Sequence, residues 1–173
     1  METMEWRFEN HGLDYPPEVA TLGPGPWEDE PDKVQWEGPL GMACMVRRGP
    51  LGAWCGYVGV DENHPMYKRQ REDLESDLDV HGGLTYGQLC DGDEEQGICH
   101  VAGPGDPDPL YWLGFDCGHF DDIVPGMAAR VPELYPPPLD GDVFHATYKD
   151  LAYVKAETER LAIQLAGVGR RHG

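Results

Sequence analysis

Residues 147–166, TYKDLAYVKAETERLAIQLA, carry the clearest helical pattern in the sequence. Side chains of one face recur at the 3.6-residue spacing of an α-helix: Leu151, Val154, Thr158, Leu161 and Leu165. Thr147 with Asp150 forms a weak capping box at the start, and Gly167 is typical of the residue that follows a helix. The spacing predicts an amphipathic C-terminal helix over 147–166 whose apolar face covers another element.

Five short runs upstream of this helix have the composition of β-strands. They are apolar or aromatic, and Gly, Pro and Asp clusters such as RRGPLG and CDGDEEQG separate them. The runs are residues 42–48, 53–60, 78–86, 97–102 and 110–117. No ten-residue helical pattern alternates with them, so we expect antiparallel pairing. The predicted fold is α+β: an antiparallel sheet of about five short strands packed against one long C-terminal helix.

The first forty residues have a different composition, rich in Pro, Gly, Trp and acidic side chains, without a lasting period. Three tryptophans argue against simple disorder: Trp6, Trp27 and Trp36. We predict an irregular N-terminal arm over 1–40, held by its aromatics onto a single domain over 41–173. Residues 119–146, with three consecutive prolines, predict a loop region. The charged run 67–78 predicts one or two exposed helical turns.

Charge is the strongest bulk property of the chain. Thirteen basic residues stand against 32 acidic ones, which gives a net charge of -19. Such a field repels nucleic acid and anionic membranes, so we expect neither as a direct partner. Two readings of the charge stay open. The excess is either a solvated surface or a mimic of nucleic acid that occupies the groove of another protein.

The cysteines and the first residues bear on the cellular compartment. The stretch METMEWRFEN lacks the apolar segment of a secretory leader, and no run is long enough to span a bilayer, so we expect a cytoplasmic protein. The five cysteines are odd in number, and we therefore expect no disulfide framework. Most should be small buried side chains. An alternative is a zinc site of Cys90, Cys99, Cys117 and His119.

The stretch DVHGGLTY, residues 79–86, interrupts a predicted strand with a histidine and two glycines. Glycines inside a strand mark a bulge or a close approach of the backbone to a ligand. We therefore expect Gly82 and Gly83 to make room, and His81 to point into that room. The alternative is a hydrogen-bonded histidine that only fixes a loop.

A second stretch, YWLGFDCGHFDD, adds aromatic faces and polar edges, which together suit a small-ligand pocket. Core packing is the alternative for its aromatics. The candidate ligand-binding residues are His64, His81, Gly82, Gly83, Trp112, Asp116, His119 and Asp121. Of these, the candidate metal ligands are His81, Asp116, His119 and Asp121, with zinc, magnesium or manganese as the ion. A Cys117–His119 or Cys117–His81 nucleophile pair is also available.

The ordered blocks WCGYVGVDENHPMY, DVHGGLTY, ICHV, YWLGFDCGHFDD and YKDLAYVKAETERLAIQL, within about residues 27–166, resemble a family of small uncharacterised proteins encoded by bacteriophages and prophages. Members typically have alanine where Gly118 stands. The resemblance implies a phage accessory protein rather than a structural part of the virion. It also implies a role against host defence.

Three functions follow as expectations. The first is capture of a small ligand, such as a nucleotide-type signal, in a pocket formed by the HGG and GFDCGHFDD segments. The second is a metal-dependent hydrolase that uses the same histidines and aspartates, together with His64. The third is an acidic decoy that inhibits a host defence enzyme and needs no pocket.

Overall fold

A computed structural model describes residues 2–13, 16, 21–69, 78–90, 95–101, 107–141 and 145–172. Within these residues one antiparallel sheet of six strands has the order β1-β2-β3-β4-β6-β5. The strands are β1 (Met4–Trp6), β2 (Lys33–Glu37), β3 (Ala43–Arg48), β4 (Trp54–Val60), β5 (Tyr86–Leu89) and β6 (Tyr111–Asp116). The helices are α1 (Pro125–Arg130) and α2 (Leu151–His172). The predicted α+β fold is confirmed.

The long helix α2 covers one face of the sheet, chiefly strands β3 and β4. Four of the five side chains of its predicted apolar face, Val154, Thr158, Leu161 and Leu165, are fully removed from solvent, and Leu151 is partly buried. They join a core that includes Val46, Val58 and Leu113 of the sheet. The helix approaches the sheet closely at Gly56 of β4, where a Cβ atom would meet the Thr158 hydroxyl and the Phe115 ring. Burial of this face supplies most of the free energy that holds the helix, because isolated helices are marginal in water.

The opposite face of the sheet carries its own apolar cluster, which is formed by Met45, Cys55, Tyr57 and Trp112. Beside it, Lys33 of β2 is fully buried and donates hydrogen bonds to the carbonyls of Glu95, Gly97 and Cys99. Gln35 exchanges hydrogen bonds with the backbone of Val101. The segment 95–101 therefore covers this face as a loop, and its described residues form no strand.

Several elements differ from the sequence predictions. The N-terminal arm is not wholly irregular, since it supplies β1 and β2. Strand β1 pairs with β2, and β2 pairs with β3. Residues 78–85 form a turn and loop rather than a strand, because positive φ angles at Gly82 and Gly83 break the extended backbone before β5. The loop region 119–146 contains α1. Residues 70–77, most of the predicted helical turns, lie outside the described residues.

Helix α2 also begins and ends later than predicted. Asp150 is its N-cap, with Oδ1 accepting a hydrogen bond from the Tyr153 N–H at 2.9 Å. Gly167 lies inside the helix, which continues to His172. Packing of Leu165 and Val168 against the core carries the helix past a residue that ordinarily ends one. Neither helix in the described part of the chain has the length and apolarity of a membrane span.

The cysteines correct one expectation and support another. Cys90 and Cys99 form a disulfide, with their Cα atoms 4.9 Å apart, where the sequence predicted none. The three free cysteines, Cys44, Cys55 and Cys117, are buried as expected. Burial raises the pKa of the Cys44 and Cys55 thiols to about 12, so they act as small apolar groups.

Two glycine substitutions test the packing and the length of α2. Gly56→Ala should destabilise the protein by about 1–3 kcal/mol or more, because the new methyl group overlaps Thr158 and Phe115. Gly167→Ala should instead stabilise it by roughly 0.5–1 kcal/mol, since its surroundings are open and alanine is the better helix former. Urea denaturation followed by circular dichroism measures both. A destabilising Gly167→Ala would show that the helix ends there.

Candidate functional site

The HGG turn lies against a polar stripe of α2. The stripe recurs at helical spacing and consists of Tyr153, Glu157, Arg160 and Gln164. The Asp79 N–H donates to Gln164 Oε1 at 2.7 Å, and the His81 N–H donates to Glu157 Oε2 at 3.0 Å. Arg160 pairs with both Asp79 and Glu157. These bonds fix the backbone of the turn, and with it the position of the His81 ring.

The loop that follows β6 supplies the other half of the site. It returns to the helix side of the molecule at Asp122, which forms an isolated bridge with Thr147. Asp122 is 1% exposed, so its carboxylate must find partners inside the protein. Its Oδ2 accepts a hydrogen bond from the His119 N–H at 3.0 Å, which closes a tight turn over residues 119–122.

Asp122 and His81 anchor a chain of polar contacts. His81 Nε2 lies 2.8 Å from Asp122 Oδ2, and His81 Nδ1 lies 2.9 Å from the Tyr153 hydroxyl. On the other side, Lys149 Nζ pairs with Asp122 Oδ1 at 2.9 Å. The chain of contacts therefore runs from the Tyr153 phenol through the His81 imidazole and the Asp122 carboxylate to the Lys149 ammonium. The carboxylate is balanced by a cation, and the imidazole is oriented from both ends.

His119 is the second imidazole at this point. Its Nδ1 lies 3.6 Å from Asp122 Oδ2, its Nε2 lies 3.9 Å from Asp116 Oδ1, and its ring packs edge-on against His81 with centroids 5.7 Å apart. Among the described residues, Nδ1 is buried without a hydrogen-bond partner. Gly82 makes room for the ring, because a Cβ there would lie 2.1 Å from His119 Cε1. A buried nitrogen lone pair or N–H thus faces the carboxylate with nothing bonded to it.

The electrostatics keep the Asp122 carboxylate charged and keep the neighbouring Tyr153 phenol and Cys117 thiol protonated. Burial works to raise the pKa of Asp122, but hydrogen bonds from His81, Lys149 and the His119 backbone outweigh it and lower the pKa. Burial, followed by the Glu157 charge, raises the pKa of the Tyr153 phenol, which keeps its proton. Burial also raises the pKa of the Cys117 thiol, so Cys117 is not an activated nucleophile for either histidine.

The three side chains His81, His119 and Asp122 have the donor set and spacing of a metal site. Their ligand atoms lie within 4.8 Å of one another. Two ligands of a tetrahedral zinc ion lie roughly 3.3–3.4 Å apart, so shifts of about an ångström would suffice. Each imidazole also has an oxygen near its other nitrogen, Tyr153 for His81 and Asp116 for His119. Such outer partners orient metal-bound histidines in general.

The structure brings together only part of the predicted site. His81, Gly82, His119 and Asp116 lie at one place, and Gly83 follows in the same turn with open space around it. Asp121 is exposed; its backbone carbonyl accepts hydrogen bonds from Thr147 and Lys149. The predicted set Cys90, Cys99, Cys117 and His119 does not converge, because Cys90 and Cys99 are bonded to each other and Cys117 belongs to the core under α2.

Two predicted residues lie elsewhere. Trp112 is fully buried in the cluster on the sheet face away from α2, where its Nε1 donates to Asp108. His64 accepts the Met66 N–H at Nδ1, so its Nε2 carries the proton and donates to the Leu165 carbonyl at 2.9 Å. Leu165 is twelve residues after Tyr153, about 18 Å along the helix. His64 therefore holds a loop to α2.

Sequence reasoning missed three residues of the site: Asp122, Lys149 and Tyr153. Asp122 is adjacent to the predicted Asp121, and only the turn geometry selects between these two carboxylates. Lys149 lies just before α2 and Tyr153 lies in its first turn. In the sequence, both positions fall outside the predicted apolar face of the helix. The polar stripe itself was a readable signal, because a helix face with Tyr, Glu, Arg and Gln at i, i+4, i+7 and i+11 suits a polar partner.

Comparisons with protein-family models, with curated proteins and with solved structures find no match for this chain. Function is therefore inferred from the geometry around Asp122.

A matched pair of glycine variants tests how the turn serves the site. Gly82→Ala should displace the His119 ring, because the added methyl group overlaps it, whereas Gly83→Ala meets open space. Both residues have positive φ, so both variants should lose about 1–2 kcal/mol from backbone strain. Only Gly82→Ala should shift the imidazole NMR signals of His119 and His81. Equal spectra for the two variants would contradict the close contact.

Proposed function

We propose that this chain is a phage-type accessory protein that binds a small anionic ligand through a divalent metal ion held by His81, His119 and Asp122. The observation that carries the proposal is the convergence of two imidazoles and a buried carboxylate, with donor atoms within 4.8 Å. Three protein ligands leave coordination positions for an outside group, as in catalytic zinc and non-haem iron sites. The accessory role against host defence follows from the family resemblance of the sequence.

The donor set favours a transition metal over magnesium. Imidazole nitrogens suit zinc, iron and similar ions, whereas magnesium prefers oxygen ligands and retains its waters. In the absence of metal, His81 Nε2 and Asp122 Oδ2 are 2.8 Å apart and share a proton. A metal ion would take that position on Nε2, the single imidazole proton would then be carried on Nδ1, and the Nδ1–H would donate to the Tyr153 oxygen. His119 would contribute the Nδ1 that now has no hydrogen-bond partner among the described residues.

The charge balance supports an anionic ligand. Lys149 already neutralises Asp122 at 2.9 Å, so a bound divalent ion would add two positive charges beside this pair, and the Asp116 carboxylate near His119 would offset only one of them. A phosphate or carboxylate group would complete the coordination of the metal. Two aromatic side chains adjoin the site. Phe120 follows His119 in the sequence and is 87% exposed, and the partly exposed Tyr153 contacts His81. Their rings suit the base of a nucleotide-type signal, because aromatic faces stack on bases of any sequence.

A metal-dependent hydrolase is the second candidate. A bound ion of this type lowers the pKa of a ligated water toward neutrality and makes it a nucleophile. Asp116 is half-buried beside His119, and its carboxylate also accepts a hydrogen bond from Thr85 at 3.0 Å. In this proposal the Asp116 carboxylate would accept a proton from such a water. The two candidates therefore share one site and differ in whether the ligand leaves unchanged.

Metal binding is tested by calorimetric titration of the oxidised protein with zinc, with neighbouring aspartates as a matched pair. The wild-type chain should bind one equivalent. Asp122→Asn should weaken zinc binding by more than about 100-fold, which exceeds the loss of affinity expected for a residue that only hydrogen-bonds to a metal ligand. Asp121→Asn should leave zinc binding unchanged. His119→Ala should behave like Asp122→Asn while sparing the fold, because its side chain is 35% exposed. No uptake by the wild type, or equal effects of the two aspartate variants, would contradict the site.

Incubation with a mixture of nucleotides separates the functions. The metal-loaded protein should retain a nucleotide through gel filtration and release it intact after heat denaturation, and His119→Ala should retain none. Release of a hydrolysed product would favour the hydrolase. A protein that binds metal but neither retains nor converts any nucleotide would contradict the nucleotide-type ligand. One that takes up neither metal nor nucleotide would favour the acidic decoy.

A further inference from the structure

A second group of donor atoms lies on the other side of the sheet. Cys90 directly follows β5, Cys99 belongs to the segment 95–101, and Asp108 precedes β6. Their two sulfurs and a carboxylate oxygen lie within 4.8 Å of one another. The sulfurs form a disulfide in this structure. The group shares no residue with the His81 site.

Asp108 is held in place by three N–H donors. Its Oδ2 accepts from the His100 backbone at 2.6 Å and from Trp112 Nε1 at 2.8 Å, and its Oδ1 accepts from the Leu110 backbone at 3.0 Å. These bonds fix the carboxylate beside the sulfurs as outer partners fix metal ligands. Each carboxylate oxygen has two acceptor positions, so Oδ1 keeps one for a metal ion.

The cysteine pair connects elements that must stay together. The segment 95–101 provides the three carbonyls that receive hydrogen bonds from the buried Lys33 ammonium, one of them the carbonyl of Cys99 itself at 3.3 Å. Displacement of this segment would leave a buried cation without those acceptors, which costs several kcal/mol. A link between Cys90 and Cys99 prevents it.

We infer that reduction turns this disulfide into a zinc site formed by Cys90, Cys99 and Asp108. Two thiolates bound to one zinc ion lie roughly 3.8 Å apart. The Cα atoms of Cys90 and Cys99 are 4.9 Å apart, so their sulfurs can reach that separation. Two thiolates and one carboxylate carry three negative charges, which zinc and the Lys33 ammonium offset. The chain thus keeps the segment 95–101 tethered in both redox states, by a disulfide when oxidised and by metal when reduced.

The conversion balances as ordinary thiol–disulfide exchange. A dithiol reductant gives two electrons and two protons to the Cys90–Cys99 bond and becomes a disulfide itself. Zinc then displaces the two thiol protons, which pass to water, and two Zn–S bonds form beside the Asp108 carboxylate. Water completes the coordination of the ion.

The test uses the full chain with His119→Ala, so that the first site does not contribute, and Co²⁺ as the spectroscopic probe. Protein reduced with a phosphine and desalted without oxygen should bind one equivalent of Co²⁺ with a thiolate-to-cobalt charge-transfer band. The oxidised protein should show no such band. It is the matched control, because it retains the free thiols of Cys44, Cys55 and Cys117.

Two variants of the reduced protein assign the ligands. Cys90→Ser should abolish the band, and Asp108→Asn, which keeps an oxygen acceptor for the neighbouring N–H groups, should weaken Co²⁺ binding at least about tenfold. Absence of the band in the reduced protein overturns the inference, as does a band that persists in Cys90→Ser. A reduced chain that loses its circular dichroism signal and does not recover it with Co²⁺ also overturns it.

Discussion

The buried guanidinium of Arg48 is the contact on which the rest of the structure depends. Its side chain is fully removed from solvent, where an unpaired charge would cost several kcal/mol. It avoids that cost by donating to Asp32 Oδ1 at 3.2 Å, to the Gly52 carbonyl at 2.9 Å and to the Trp27 carbonyl at 3.3 Å. It also reaches the Tyr148 hydroxyl. One side chain at the end of β3 thus joins the N-terminal arm, the β3–β4 turn and the approach to α2.

The candidate site depends on this network through Glu30. The Tyr148 hydroxyl donates to Glu30 Oε1, and the Leu151 N–H at the start of α2 donates to Glu30 Oε2. The arm therefore fixes the first turn of the helix, where Lys149 and Tyr153 flank the Asp122–His81 pair. A negative carboxylate at that end also suits the helix dipole. The position of the imidazoles consequently depends on Glu30, which lies 121 positions before Leu151 in the chain.

Much of the architecture could be predicted because it follows from local periodicity. The apolar spacing of α2 and the strands β3, β4 and β6 are where the residue pattern placed them, since one buried face imposes a fixed repeat. Elements without such a repeat were missed. β2 lay unrecognised in a Pro- and Gly-rich arm because its pairing with β3 is a tertiary contact. The run 97–102 read as a strand, but in the described residues 97–101 its backbone groups serve Lys33 and Gln35 instead.

The sequence by itself determined the α+β class, the covering helix and the two segments, HGG and GFDCGHFDD, that meet at the site. It determined them because composition and period act within a few residues of one another. Only the tertiary structure selected Asp122 over Asp121 and brought Lys149 and Tyr153 close to the Asp122–His81 pair. It also placed Trp112 and His64 away from the site. Those outcomes depend on which way a turn closes and which face of the sheet a side chain takes. Both are settled by the burial of groups that lie far apart in the chain.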